Sequence, residues 1–141
     1  MRPTNVAQMR LPHGRVSSYR VTVGARGAAL PVSFDQARHV GLGERPGSWM
    51  AVAFVAPESV SRADLAAGWL RVVRRHGTLR STFSPGETTP ALREIEVGPG
   101  AWVEHEVPDG DDVRAVLRGV LDAACTPFSS PSHRLCVVEP D

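Results

Sequence analysis

Residues Ser61 to Phe83 read SRADLAAGWLRVVRRHGTLRSTF. Ser61 with Asp64 three residues on forms a capping box, which sets the start of a helix running from about Ser61 to His76. Leu65, Trp69, Val72 or Val73, and His76 recur at helical spacing and give the helix one apolar stripe. Arg62, Arg71, Arg74 and Arg75 mostly occupy the other side. A helix of this kind has to lay its stripe on another layer, so the question becomes what the rest of the chain supplies.

Downstream, Ser84 to Pro90 (SPGETTP) is a loop. Two strand candidates come next, Leu92 to Val97 and Trp102 to Val107, and the Gly98-Pro99-Gly100 turn between them predicts a hairpin. A second helix is expected over about Asp111 to Ala124. Val113, Val116, Leu117, Val120, Leu121 and Ala124 share one face, and Asp111 and Asp112 lie at the positive end of the helix dipole. Arg134 to Val138 reads as a last strand, cut short by Glu139-Pro140-Asp141. Upstream, Trp49 to Ala56 is apolar on both faces and predicts a central, buried strand. A short helix is expected from Asp35 to Val40, N-capped by Ser33 and ended by Gly41, Gly43 and Pro46. Tyr19 to Val23 predicts a strand that stops at a turn over Gly24 to Gly27, and Met1 to Arg15 reads as an extended arm. No repeat or low-complexity block interrupts this order. Irregular alternation of helices and strands predicts an α+β fold with helices packed on a mixed sheet.

The 141 residues are enough for one domain with its own core, and 42% apolar with 22% charged residues is ordinary for a globular chain. A formal net charge of +1, with scattered basic residues, gives no electrostatic case for nucleic acid. All 16 basic residues are Arg, which codon usage in a GC-rich genome explains without any chemical demand. Cys125 and Cys136 are too few for a disulfide framework or zinc site and read as free thiols in a reducing cytosol. The first residues lack a signal-peptide layout, and no apolar run reaches bilayer length, so a cytoplasmic protein is expected.

Arg75-His76-Gly77-Thr78-Leu79-Arg80-Ser81-Thr82-Phe83 resembles RHExLRTxF, a signature of condensation domains from non-ribosomal peptide synthesis. Upstream, Ser33, Gln36, Arg38 and Leu42 in SFDQARHVGL match SxAQxR(L/M)WxL, a second signature in the family's order. Pro127-Phe128 and the strand from Arg134 look like the family's PFDL…PLxRxxL stretch. The resemblance implies a chloramphenicol-acetyltransferase-like lobe over residues 31–141, preceded by an arm and first strand over 1–30. The first thirty residues and Pro46-Gly47-Ser48-Trp49 look more like free-standing condensation proteins than embedded modules. The family's catalytic HHxxxDG is absent, and the chain stops about where it is expected to begin. Departures include Asp35, His39 and Val40 in the first signature, and Gly77 and Ser81 in the second.

The resemblance implies the N-terminal part of an acyltransferase that joins a carrier-bound acyl group to an amine or alcohol, inactive by itself. No resident cofactor is implied; the phosphopantetheine arm of a carrier protein brings the substrate. The implied partners are peptidyl or acyl carrier proteins, together with a missing C-terminal lobe or self-association, and neither nucleic acid nor membrane. Ser33, Gln36, Arg38, Arg75, His76, Leu79, Arg80 and Phe83 carry the family motifs in structural roles, with no catalytic residue assigned. An arginine of the second signature, Arg75 or Arg80, would pair with the HHxxxDG aspartate in the family and here needs another carboxylate or solvent.

Other groupings fail on physical grounds. His13, His39, His76, His105 and His133 include no adjacent pair, and His133 reads as a surface residue. Ser33, Asp35 and His39 contain triad types without a nucleophile elbow. Glu104, His105 and Glu106 alternate faces of a strand and cannot converge on a metal. Two alternatives stay beside the acyltransferase part. A stand-alone, non-catalytic half-lobe that binds a carrier protein or partner enzyme would expose no half-core; the other is an unrelated small enzyme.

Overall fold

The computed structural model describes residues 10–108 and 112–141. Along them run β1 (Gly14–Leu30), α1 (Phe34–Val40), α2 (Arg62–Arg75), β2 (Ser81–Ser84), β3 (Ala91–His105), α3 (Val113–Ala124) and β4 (Leu135–Pro140). A 3-10 turn, Gly77–Arg80, joins α2 to β2. The sheet order is β2-β3-β1-β4, and every pairing is antiparallel. The α+β class stands, while the expected mixed sheet is corrected to an antiparallel one. The short 85–90 loop makes β2 and β3 a hairpin, and β3 and β4 both run against β1 on either side of it. Among the described residues no helix is long and apolar enough to cross a membrane.

Both strands of the central pair are longer than their sequence cues. β1 does not turn at Gly24 to Gly27 but continues to Leu30, absorbing register shifts between Val23 and Arg26 and between Arg26 and Ala29. These glycines lie against β3, where a Cβ on Gly24 would press within 3.3 Å of Glu96. The expected hairpin at Gly98-Pro99-Gly100 is likewise absent: β3 runs straight through it. Thr22 pairs with Gly98 and Arg20 with Ala101, so two residues of β3 oppose Val21 alone, a bulge. Thr22 Oγ1 donates to the Pro99 carbonyl at 2.9 Å, and Gly100 N–H donates to the Tyr19 hydroxyl at 2.7 Å. The segment has polar partners on β1, which a free turn would not provide.

α2 begins with the expected capping box, Ser61 and Asp64 exchanging bonds. Its buried face is rotated from the expected stripe: Leu70 and Val73 are buried, with Ala66 and Trp69 packed beside them on Tyr19, Val21, Val97, Trp102 and Leu135. Positions 66, 69, 70 and 73 form one seam, and the broad sheet face selects it over a seam through Leu65. Val72 is 42% exposed, and His76 caps the C-terminus in solvent instead of joining the stripe. Each fully buried aliphatic side chain of this core contributes about 1.5–3 kcal/mol relative to exposure. At the other end, Arg62 reaches over the sheet, donating to Glu139 of β4 through Nε (2.9 Å) and Nη2 (2.5 Å), and to Glu104 of β3. Its guanidinium carbon lies 5.4 Å from the Trp102 ring centroid.

α3 buries Val113, Leu117 and Leu121, as its periodicity predicts, with Asp112 as N-cap. The expected start of this helix at Asp111, and the expected arm as far as Met9, lie outside the described residues. β4 extends past Val138 to Pro140; at a sheet edge a proline costs no ladder bond.

The largest correction concerns Trp49 to Ala56. These residues form neither helix nor strand; Trp49 and Ala56 are half-buried and the run between them lies bare, with Met50 99%, Val52 73%, Phe54 75% and Val55 97% exposed. Two apolar faces need cover on both sides, and among the described residues no strand pairs with this segment.

Candidate functional site

The second signature is drawn out along the junction of α2, the 3-10 turn and the β2–β3 hairpin. Arg75 and His76 are exposed where α2 ends. Leu79 is half-buried in the turn, and its carbonyl lies 3.0 Å from His133 Nε2. A carbonyl only accepts, so Nε2 carries the proton and Nδ1 keeps the lone pair. The Arg80 Nη1 donates to Glu94 Oε1 of β3 at 2.9 Å. Phe83 is half-buried opposite Leu92 in the hairpin register. The carboxylate that pairs with Arg80 is therefore Glu94, which stands opposite Ser81 in the same hairpin.

His133 is not the surface residue its sequence context suggested. It is half-buried, edge-on to Trp69 with ring centroids 5.3 Å apart, and burial lowers its pKa against the raising effect of the Leu79 bond. The neutral imidazole thus ties the loop before β4 to the second signature. No local periodicity marks it; the only cue was its place beside the PFDL-like stretch. Among the described residues, buried Trp69 Nε1, His133 Nδ1 and Arg80 Nε find no hydrogen-bond partner.

The first signature makes a separate, local structure. Ser33 and Gln36 exchange a capping box at the start of α1, with Gln36 N–H donating to Ser33 Oγ (3.2 Å) and Ser33 N–H to Gln36 Oε1 (2.9 Å). Arg38 and Leu42 are exposed, Leu42 to 59%. None of these residues bonds to the second signature. The chain beyond α1 is tied instead to α3 and its C-terminal flank: Thr126 donates to Glu44, and both Gly47 N–H and the Trp49 indole donate to Asp122 Oδ1 at 2.7 Å. The Trp49 bond first, then that of Gly47, holds the Asp122 carboxyl below its ordinary value. This clamp at Pro46 to Trp49 was not foreseen; an aspartate on the polar side of α3 gave no signal of it.

An open cleft of about 620 Å³ lies beside Arg80, lined by Gly27, Arg74, Arg80, Glu94, Ile95, Glu96 and Val97. Two arginines face two glutamates, so it offers no strong preference for either sign of ligand. Glu104 and His105 point to opposite faces, one bonded to Arg62 and the other in contact with Ser18 Oγ at 2.8 Å. The thiols are held protonated: burial pushes Cys125 up and Cys136 up to about 12, far from the thiolate a nucleophile requires. No family model matches the chain, and neither a curated protein nor a solved structure is significantly similar to it.

Proposed function

We propose that this chain is the N-terminal, chloramphenicol-acetyltransferase-like part of a condensation-type acyltransferase, inactive by itself. The parent joins an acyl group carried on a peptidyl or acyl carrier protein to an amine or alcohol, as in non-ribosomal peptide biosynthesis. The bare run from Met50 to Val55 carries the reading. An uncharged, two-faced apolar segment without a ladder partner among the described residues is half of a core, and half a core belongs to a body completed by another surface. A self-contained binding half-lobe would not leave it open. Two signature stretches in family order support the same reading. In it the lobe shapes the tunnel wall and the approach of the carrier protein.

The test is the intact mass of the product in its native cells together with the reading frame past Asp141. A product roughly three times longer bearing HHxxxDG agrees with the proposal. A native chain ending at Asp141, or turnover by the 141-residue chain on a loaded carrier protein and an amine, overturns it.

A further inference from the structure

The bare segment has a second property, its self-complementarity. From Pro46 to Pro57 it contains no charged residue, and it is flanked by Arg45 on one side and Glu58 on the other. It is also held at both ends. Gly47 and Trp49 are fixed to Asp122 of α3, and beyond Pro57 the chain enters α2, which opens on the Ser61–Asp64 cap and whose Arg62 fork is anchored to β3 and β4. A segment fixed at both ends loses less freedom on docking than a loose one.

We propose that the 141-residue chain self-associates through this segment, Trp49 to Ala56 of one copy pairing antiparallel with the same residues of a second copy about a two-fold axis. Strict two-fold pairing requires that opposed residues share a face, which restricts the register. With Val52 on the axis, Met50 opposes Phe54, Ala51 opposes Ala53, and Trp49 opposes Val55. Met50, Val52 and Phe54 then form one large-residue face in both copies, with a sulfur–aromatic contact at each end. In the same register Arg45 comes within one residue of the second copy's Glu58 at both ends, so the flanking charges attract. Parallel pairing would instead set Arg45 beside Arg45 and Glu58 beside Glu58. The three large side chains of this face in each copy, at roughly 60–120 Å² of apolar area each, together with the backbone edge, place the contact at the small end of specific interfaces, as a weak and concentration-dependent dimer. The inference concerns the 141-residue chain by itself; in the longer parent of the acyltransferase reading, the completing surface would take the place of the second copy.

The experiment is sedimentation equilibrium of the 141-residue chain over a concentration series, with Val52→Asp and Val52→Cys beside it. The expected result is a mass rising to twice 15.2 kDa for the parent, and a monomer with an unchanged far-UV circular dichroism spectrum for Val52→Asp. Val52→Cys should yield, on mild oxidation, a covalent dimer whose peptide map joins residue 52 to residue 52. A parent that stays monomeric at the highest concentration overturns the proposal. So does a dimer that survives Val52→Asp, an open-ended series of larger species, or oxidised Val52→Cys without the 52–52 link. Any of these leaves the mass-and-reading-frame test of the acyltransferase proposal untouched, and failure of that test leaves the dimer standing.

Discussion

Replacing Gly100 by alanine sets a methyl group against the backbone of the central strand. An ideal Cβ there falls on the carbonyl oxygen of Arg20 and lies 2.6 Å from the Arg20 carbonyl carbon and 2.8 Å from Val21 Cα. None of these atoms can rotate aside, so β1 and β3 must part at the bulge. Parting removes the 2.7 Å bond from Gly100 N–H to Tyr19, whose side chain is buried, and disturbs the 2.9 Å bond from Thr22 to Pro99. At about 1 kcal/mol net for each hydrogen bond and about 1–3 kcal/mol for displaced backbone, the cost is about 3–5 kcal/mol. That is a large share of the roughly 5–15 kcal/mol by which domains are stable. Gly98→Ala is the control. A Cβ at Gly98 meets only Thr22 Oγ1, at 2.8 Å, a side chain that can turn away at the loss of about one hydrogen bond, or about 1 kcal/mol. In urea unfolding, at a slope of about 2 kcal/mol/M, the midpoint should fall by about 2 M for Gly100→Ala and by about 0.5 M for Gly98→Ala. Equal shifts, as two positions in an exposed hairpin turn would give, refute the bulge argument.

Two further outcomes are expected. Because burial depresses the pKa of His133 in the folded state, the unfolded chain takes up the proton first, so stability is full above about pH 6.5 and declines as pH falls through the lower folded value. Urea midpoints at pH 8 and pH 5.5 should separate for the parent and draw together for His133→Gln; Glu139, lowered by its Arg62 bonds, adds its own loss only below about pH 4.5. Cys136, with its thiol pushed up to about 12 by burial, should react with iodoacetamide at pH 7.5 on the order of a hundredfold more slowly than in the urea-unfolded chain; equal rates would count against that burial.

The helices were legible because their cues are local. Ser61 with Asp64, Ser33 as an N-cap, and the 113-117-121 spacing of α3 each act within one or two turns. The strands were misread where a glycine means different things in a turn and in a ladder. Gly24, Gly27, Gly98 and Gly100 looked like punctuation, yet they are where β1 and β3 approach too closely or slip register, a property of the neighbouring strand that no window along one strand contains. Trp49 to Ala56 was read as buried because its composition requires cover, and composition cannot say where that cover comes from. At the candidate site the second signature marked Leu79 and Arg80, but their partners, His133 and Glu94, come from 54 and 14 residues away and carry no pattern of their own.

The Arg62 fork has a consequence for the order in which the sheet can be assembled. Glu104 and Glu139 stand on β3 and β4, with β1 between them, and both meet the same guanidinium above that face. Glu139 of β4 lies 77 residues beyond Arg62, and among the described residues β4 pairs with β1 alone. Its run of Leu135, Cys136, Val137 and Val138 is apolar at every position, so side-chain alternation alone does little to tell one alignment from the next. A slip of one residue would carry Glu139 to the opposite face, away from the fork. The ion group therefore acts as a checkpoint on an otherwise ambiguous strand, accepting β4 only in the alignment that places a carboxylate beneath α2.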